Sequence, residues 1–78
     1  MDLNNKEEVR KAIENGMSCY QRFGFKWKGA GNHPITKEKA LELLPHFSPG
    51  MGYYELRLEN TGIEQALVFV EYSEADML

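Results

Sequence analysis

The chain has 78 residues, of which 42% are hydrophobic and 27% charged, with a formal net charge of −3. That length fits one core, since chains divide into separate domains only when several times longer, so residues 1–78 are expected to form a single small domain rather than a multidomain enzyme. The acidic balance argues against coating nucleic acid wholesale, because phosphate binding depends on neutralising charge with Lys and Arg.

The charge is unevenly spread. Residues 1–16 carry three basic and four acidic side chains, residues 17–39 five and one, and residues 40–78 one and seven. Cys19 is the sole cysteine, so no disulfide can form within the chain, and a reducing, cytoplasmic setting is expected. The start, Met-Asp-Leu-Asn-Asn-Lys-Glu-Glu, has neither the basic nor the apolar region of a signal peptide. The longest apolar run covers residues 66–70, far below the ~20 needed to span a bilayer, so no membrane role is expected.

In chain order, Asn4 or Asn5 caps a helix over residues 6–15, with Val9, Ala12 and Ile13 on one face and Asn15-Gly16 as its stop. Residues 17–27 alternate with a period of two, which predicts a strand with Cys19, Phe23, Phe25 and Trp27 facing the core. Residues 28–34, Lys-Gly-Ala-Gly-Asn-His-Pro, form a loop. Thr36 caps a second helix, with Ile35 packed back on it and Ala40, Leu41, Leu43 and Leu44 as its buried stripe, and Pro45 ends it. Residues 53–59 alternate again, placing Tyr54, Leu56 and Leu58 on one side. Residues 60–62 turn the chain into a last strand over residues 63–72, and residues 73–78 are expected to fray.

This order, α-β-α-β-β, predicts an α+β two-layer sandwich with both helices on one face of a three-stranded mixed sheet. The successive apolar residues 66–70 avoid water on both faces, which puts the last strand in the middle, in strand order 1-3-2. A right-handed crossover through the second helix makes strands one and two parallel, with strand three antiparallel to both. If Leu67 and Phe69 face the helices, Ala66, Val68, Val70 and Tyr72 face away, where nothing in the chain covers them. Tyr20, Arg22, Lys26, Tyr53, Glu55 and Arg57 then flank an apolar strip, and an apolar centre with a polar rim is how protein interfaces are built. The competing arrangement has long side chains laid across the strip, with Arg22 or Lys26 paired to acidic neighbours.

Residues 20–28 interleave aromatic and basic side chains, a combination that stacks bases and holds phosphates. Within them, Arg22-Phe23-Gly24-Phe25 loosely resembles the core of the RNA-recognition sheet signature, without the glycine that there follows the basic residue. Period-two alternation puts these rings on the helix-covered face, where they are core. The small residues 29–32 join a strand to a helix but match no phosphate-loop fingerprint. His33 and His46 bracket the second helix roughly 15 Å apart, too far to share a metal. No cofactor, metal or catalytic residue is expected.

Two functional expectations follow. The first is a non-enzymatic protein-interaction module that binds a protein partner or a second copy of itself through an open sheet face, using Tyr20, Arg22, Tyr53, Val68, Val70 and Tyr72. The second is a nucleic-acid-binding accessory using Arg22, Lys26, Lys28, Lys37 and Lys39.

Overall fold

Asn5 opens the first helix, α1 (Lys6–Glu14), by accepting the Glu8 backbone N–H on its side chain at 3.1 Å. Glu7 and Glu8 sit at the positive end of the helix dipole, and Val9 and Ile13 form the buried face. The helix closes on Gly16, whose φ of 97° suits a residue without a Cβ. Gly16 donates to the Ile13 carbonyl at 3.0 Å and Met17 to the Ala12 carbonyl at 3.1 Å, the paired bonds of a Schellman stop. Met17 then packs against the core. In this computed structural model residues 1–24, 31–60 and 62–72 are described, and the account below is confined to them.

Four strands follow in the chain: β1 (Cys19–Phe23), β2 (His33–Pro34), β3 (Tyr54–Asn60) and β4 (Gln65–Glu71). Between β2 and β3 lie α2 (Lys37–Leu43) and a 3₁₀ turn (Leu44–His46). Thr36 caps α2 by accepting the Lys39 N–H at 3.1 Å, and Pro45 sits in the tighter turn that ends the helical segment. Lys6 on α1 donates its ammonium to the Leu44 carbonyl at 2.8 Å and to that of Phe47, tying the first helix to the carbonyl end of the second. Partial burial there lowers the Lys6 pKa from its ordinary value.

The α+β class holds, with two helices and a mixed sheet, and the expected three strands in order 1-3-2 are corrected to four in order β2-β1-β4-β3. The added strand changes strand direction as well. β2 turns back antiparallel along β1, pairing Tyr20 with Pro34 and Gln21 with His33, so α2 departs from the end of the sheet where β1 begins. The crossover therefore delivers β3 antiparallel to β1, so β4 pairs antiparallel with β3, as expected, but parallel with β1; the expectation that the first two long strands run parallel, with the last antiparallel to both, is corrected. Pro34 is compatible with this because β2 is an edge. Ile35 donates to the Cys19 carbonyl, so by alternation the nitrogen of Pro34 faces away from β1.

Both helices cover one sheet face. Val9 and Ile13 of α1, Ala40 of α2, Leu44 and Phe47 meet Cys19, Leu56, Leu67 and Phe69 in a single buried cluster. Phe47 stands at its centre, edge-on to Phe69 at 5.3 Å and to Tyr54 at 5.4 Å. Two residues expected elsewhere lie outside the core. Phe23, expected inside, is 48% exposed, because β1 ends with it and Gly24 turns away at φ 65°. Ile63, expected in the last strand, precedes β4 and is 99% exposed. Phe25, Trp27 and the tail 73–78 lie outside the described residues.

Replacing Phe47 with Ala removes both ring contacts and leaves a cavity in the centre of the cluster. Chemical denaturation should show a loss of about 3–5 kcal/mol, the scale of a buried aromatic truncation.

Candidate functional site: the outer sheet face and the β3 edge

β4 is buried on both of its faces. Ala66, Leu67, Val68, Phe69 and Val70 each have 0% exposure, so the expectation that Val68 and Val70 lie bare is corrected. The helices cover Leu67 and Phe69. Ala66, Val68 and Val70 face the other way, toward Tyr20 and Arg22 of β1 and Glu55, Arg57 and Glu59 of β3, their partners in register.

A polar arch crosses this second face. Arg22 reaches over the central strand and holds both carboxylate oxygens of Glu59, Nη2 at 2.6 Å from Oε1 and Nη1 at 3.1 Å from Oε2. Its Nε donates to Asn32 Oδ1 at 2.9 Å, which fixes the plane of the guanidinium. Arg22 stands level with Val70 and Glu59 level with Ala66, so the bridge runs diagonally across β4 at the level of Val68. An arginine in this position can lay its aliphatic stem over apolar surface while its head is paired. Arg57 extends the array, 2.7 Å from Glu55 and 3.5 Å from Glu59. The Tyr72 hydroxyl donates to Glu55 Oε1 at 3.4 Å, and burial, then the nearby Glu55 charge, raises the Tyr72 pKa.

The residues expected at a partner surface thus divide. Tyr20, Arg22 and Tyr72 are half-buried components of the outer face, Val68 and Val70 lie beneath it, and Tyr53 is 46% exposed. Tyr53 belongs to a group that alternation did not single out. Met51 and Tyr54 are exposed beside it at 48% and 42%, where the chain enters β3. Tyr54 also lines a cleft of about 500 Å³ with Gln21, Lys39, Leu43, His46, Phe47 and Glu71.

The edge of β3 is the second feature. Tyr72 donates to the Tyr53 carbonyl, so the odd-numbered residues of β3 direct their backbone groups toward β4 and the even-numbered ones direct theirs outward. Ser48 blocks the first part of that outer edge, donating to the Tyr54 carbonyl at 3.2 Å and accepting from Leu56 at 3.1 Å. Beyond Leu56, no described residue pairs with the outward groups of Leu58 and Asn60. A shallow groove of about 420 Å³ runs along this edge, lined by Leu3, Pro49, Gly50 and residues 55–59.

The residues of the nucleic-acid expectation are not brought together by the described structure. Arg22 is engaged by Glu59 and Asn32, Lys37 and Lys39 stand exposed on α2, and Lys26 and Lys28 lie outside the described residues. Of the loop 29–32, Gly29 and Ala30 also lie outside them. No three His, Cys, Asp or Glu side chains among the described residues are grouped to hold a metal, and none of the described helices is long and apolar enough to cross a membrane. Cys19 is buried, its thiol donating to the Met17 carbonyl at 3.3 Å, and burial pushes its pKa from 9.0 up to about 11.

Comparison with family models, with curated proteins and with solved structures returned no match.

Two outcomes are expected. Arg22→Ala, which strands the Glu59 carboxylate and removes the stem that can cover the strip below, should lower stability by about 2 kcal/mol, and a double-mutant cycle with Glu59→Ala should give a coupling of about 1–2 kcal/mol. Alkylation of Cys19 by iodoacetamide near pH 8 should be on the order of a hundredfold slower in the folded chain than in urea, following the thiolate fraction. The folded state also keeps this proton where the unfolded state has lost it. The thiol's contribution to stability is therefore intact below pH 9.0 and declines as pH rises through about 11.

Proposed function

We propose that this chain is a non-enzymatic protein-interaction module whose contact surface lies on the β3 side of the domain. The observation that supports this most directly is the grouping of Met51, Tyr53 and Tyr54, all exposed, at the start of an edge strand. Tyrosine and methionine are enriched in protein interfaces because each presents a large area at little entropic cost. The cleft beside Tyr54 offers apolar walls from Leu43 and Phe47 with Lys39, His46 and Glu71 about it, a shape that accepts one apolar side chain of a partner between charged margins.

The outer sheet face forms the flank of this surface. Its charges, Arg22, Glu55, Arg57 and Glu59, already satisfy one another, so they serve orientation and the exclusion of wrong partners more than affinity. The buried free thiol of Cys19 suits a reducing compartment, and a cytoplasmic location is part of the proposal.

The test is capture from native extract with the wild-type chain and with Met51→Ser combined with Tyr53→Ser, both checked for an unchanged thermal transition. These two side chains are about half exposed, so the fold should lose less than about 1 kcal/mol while retention of the partner drops at least tenfold. Equal retention by the two proteins would remove this surface from consideration.

A further inference from the structure

We infer that the unblocked part of the β3 edge pairs with the same edge of a second copy, antiparallel and centred on Leu58, so that two four-stranded sheets become one continuous sheet. The inference rests on the interaction reading above and names a partner for its surface.

The first ground is the backbone. A strand edge with unpaired N–H and C=O groups is a template for another strand, and proteins usually blunt such edges. This sheet does so at one side and at half of the other. On β2 the nitrogen of Pro34 occupies the outward position and offers no donor. On β3, Ser48 occupies the edge from Tyr54 to Leu56. Among the described residues, what stays open is the Leu56 carbonyl, both groups of Leu58 and both groups of Asn60. A two-fold axis at Leu58 uses all of them except the Asn60 carbonyl: the two Leu58 residues exchange N–H···O bonds, and each Asn60 donates to the partner's Leu56. The Leu56 N–H, already given to Ser48, is not required.

The second ground is charge. In that register the residues flanking the Leu58 pair meet as non-hydrogen-bonded pairs, whose side chains approach most closely. Arg57 then faces the partner's Glu59, and Glu59 faces the partner's Arg57. A slip of one residue toward the start of the strand, centred on Arg57, sets arginine against arginine and Glu55 against the partner's Glu59. A slip the other way sets Glu59 against itself. Centring on Leu56 needs the ground Ser48 holds. The one register that matches the open backbone groups is also the one that matches opposite charges.

Shape agrees with both. The chain turns away after Asn60 into the hairpin that leads to β4, so the partner strand ends before it reaches Ser48. Leu58, half-buried at the rim of the core, meets its symmetry mate on the helix-covered side, where Leu3 and Pro49 line the same groove. A two-fold axis normal to the sheet keeps all four helices on one face and leaves the two Met51–Tyr53–Tyr54 groups free at the outer ends.

The experiment is sedimentation of the full chain across concentration, for wild type, Arg57→Glu and Asn60→Pro. Arg57→Glu changes a half-exposed side chain and sets glutamate against the partner's Glu59. Asn60→Pro deletes an outward donor that β4 does not use, and an edge strand tolerates proline. The wild type is expected to dimerise reversibly, with each variant keeping its thermal transition and raising the dissociation constant at least about tenfold. A wild type that stays monomeric up to about 1 mM, or a dimer indifferent to both variants, overturns the pairing. If that happens while capture still depends on Met51 and Tyr53, the interaction surface stands and only the identity of its partner as a second copy is lost. If the dimer forms as described and capture is insensitive to Met51 and Tyr53, the reverse holds.

Discussion

β4 imposes the constraint that organises this domain. Five successive residues with apolar side chains and no exposure require a dry environment on both faces of one strand, yet the described helices α1 and α2 lie on one face. Across the second face runs the long side chain of Arg22, which spans from β1 to β3 and meets Glu59 there. The ion pair and the apolar burial are therefore one arrangement. The arginine stem can cover hydrocarbon because the carboxylate holds its head in place, and the carboxylate is tolerated half-buried because the arginine meets it with two bonds.

Much of the fold was legible in the residues themselves. Of the candidate caps Asn4 and Asn5 it is Asn5 that caps the first helix, Thr36 caps the second as expected, the run 66–70 is an interior strand, and Leu56 and Leu58 face the helices as their alternation requires. What escaped has identifiable causes. A two-residue strand made of His33 and Pro34 has no periodicity to detect, although it redirects the whole crossover. Phe47 sits among loop-forming neighbours, between Pro45 and Ser48, so nothing local marks it as the ring around which the core packs. The hold of Arg22 on Glu59 joins positions 37 apart in the chain, and only the register of three strands brings them together.

The site was less legible than the fold for the same reason. Alternation correctly separates the two faces of the sheet, but it does not say whether the outward face is bare or covered. Hydrophobicity alone makes Val68 and Val70 the centre of a contact surface, while the described side chains level with them on the same face, Tyr20, Arg22, Glu55 and Arg57, are polar. The exposed aromatic group shifted accordingly, from the middle of the sheet to its margin, where Met51, Tyr53 and Tyr54 lie beyond the reach of the arch.

The two edges of the sheet show how the charges on β3 can serve more than one purpose. Charged side chains on an edge strand commonly keep other strands away, and that effect depends on like charges meeting in the registers available. The order Glu55, Arg57, Glu59 makes the outcome depend on register: repulsive when centred on Arg57 or on Glu59, attractive when centred on Leu58. Within one copy Arg57 already bridges Glu55 and Glu59, so exchanging Glu59 for the partner's equivalent needs no charge to be buried alone. In the proposed pairing, the array that spans the outer face of this small domain also selects a single alignment for a second copy, while Ser48 and the nitrogen of Pro34 blunt other parts of the described sheet edges.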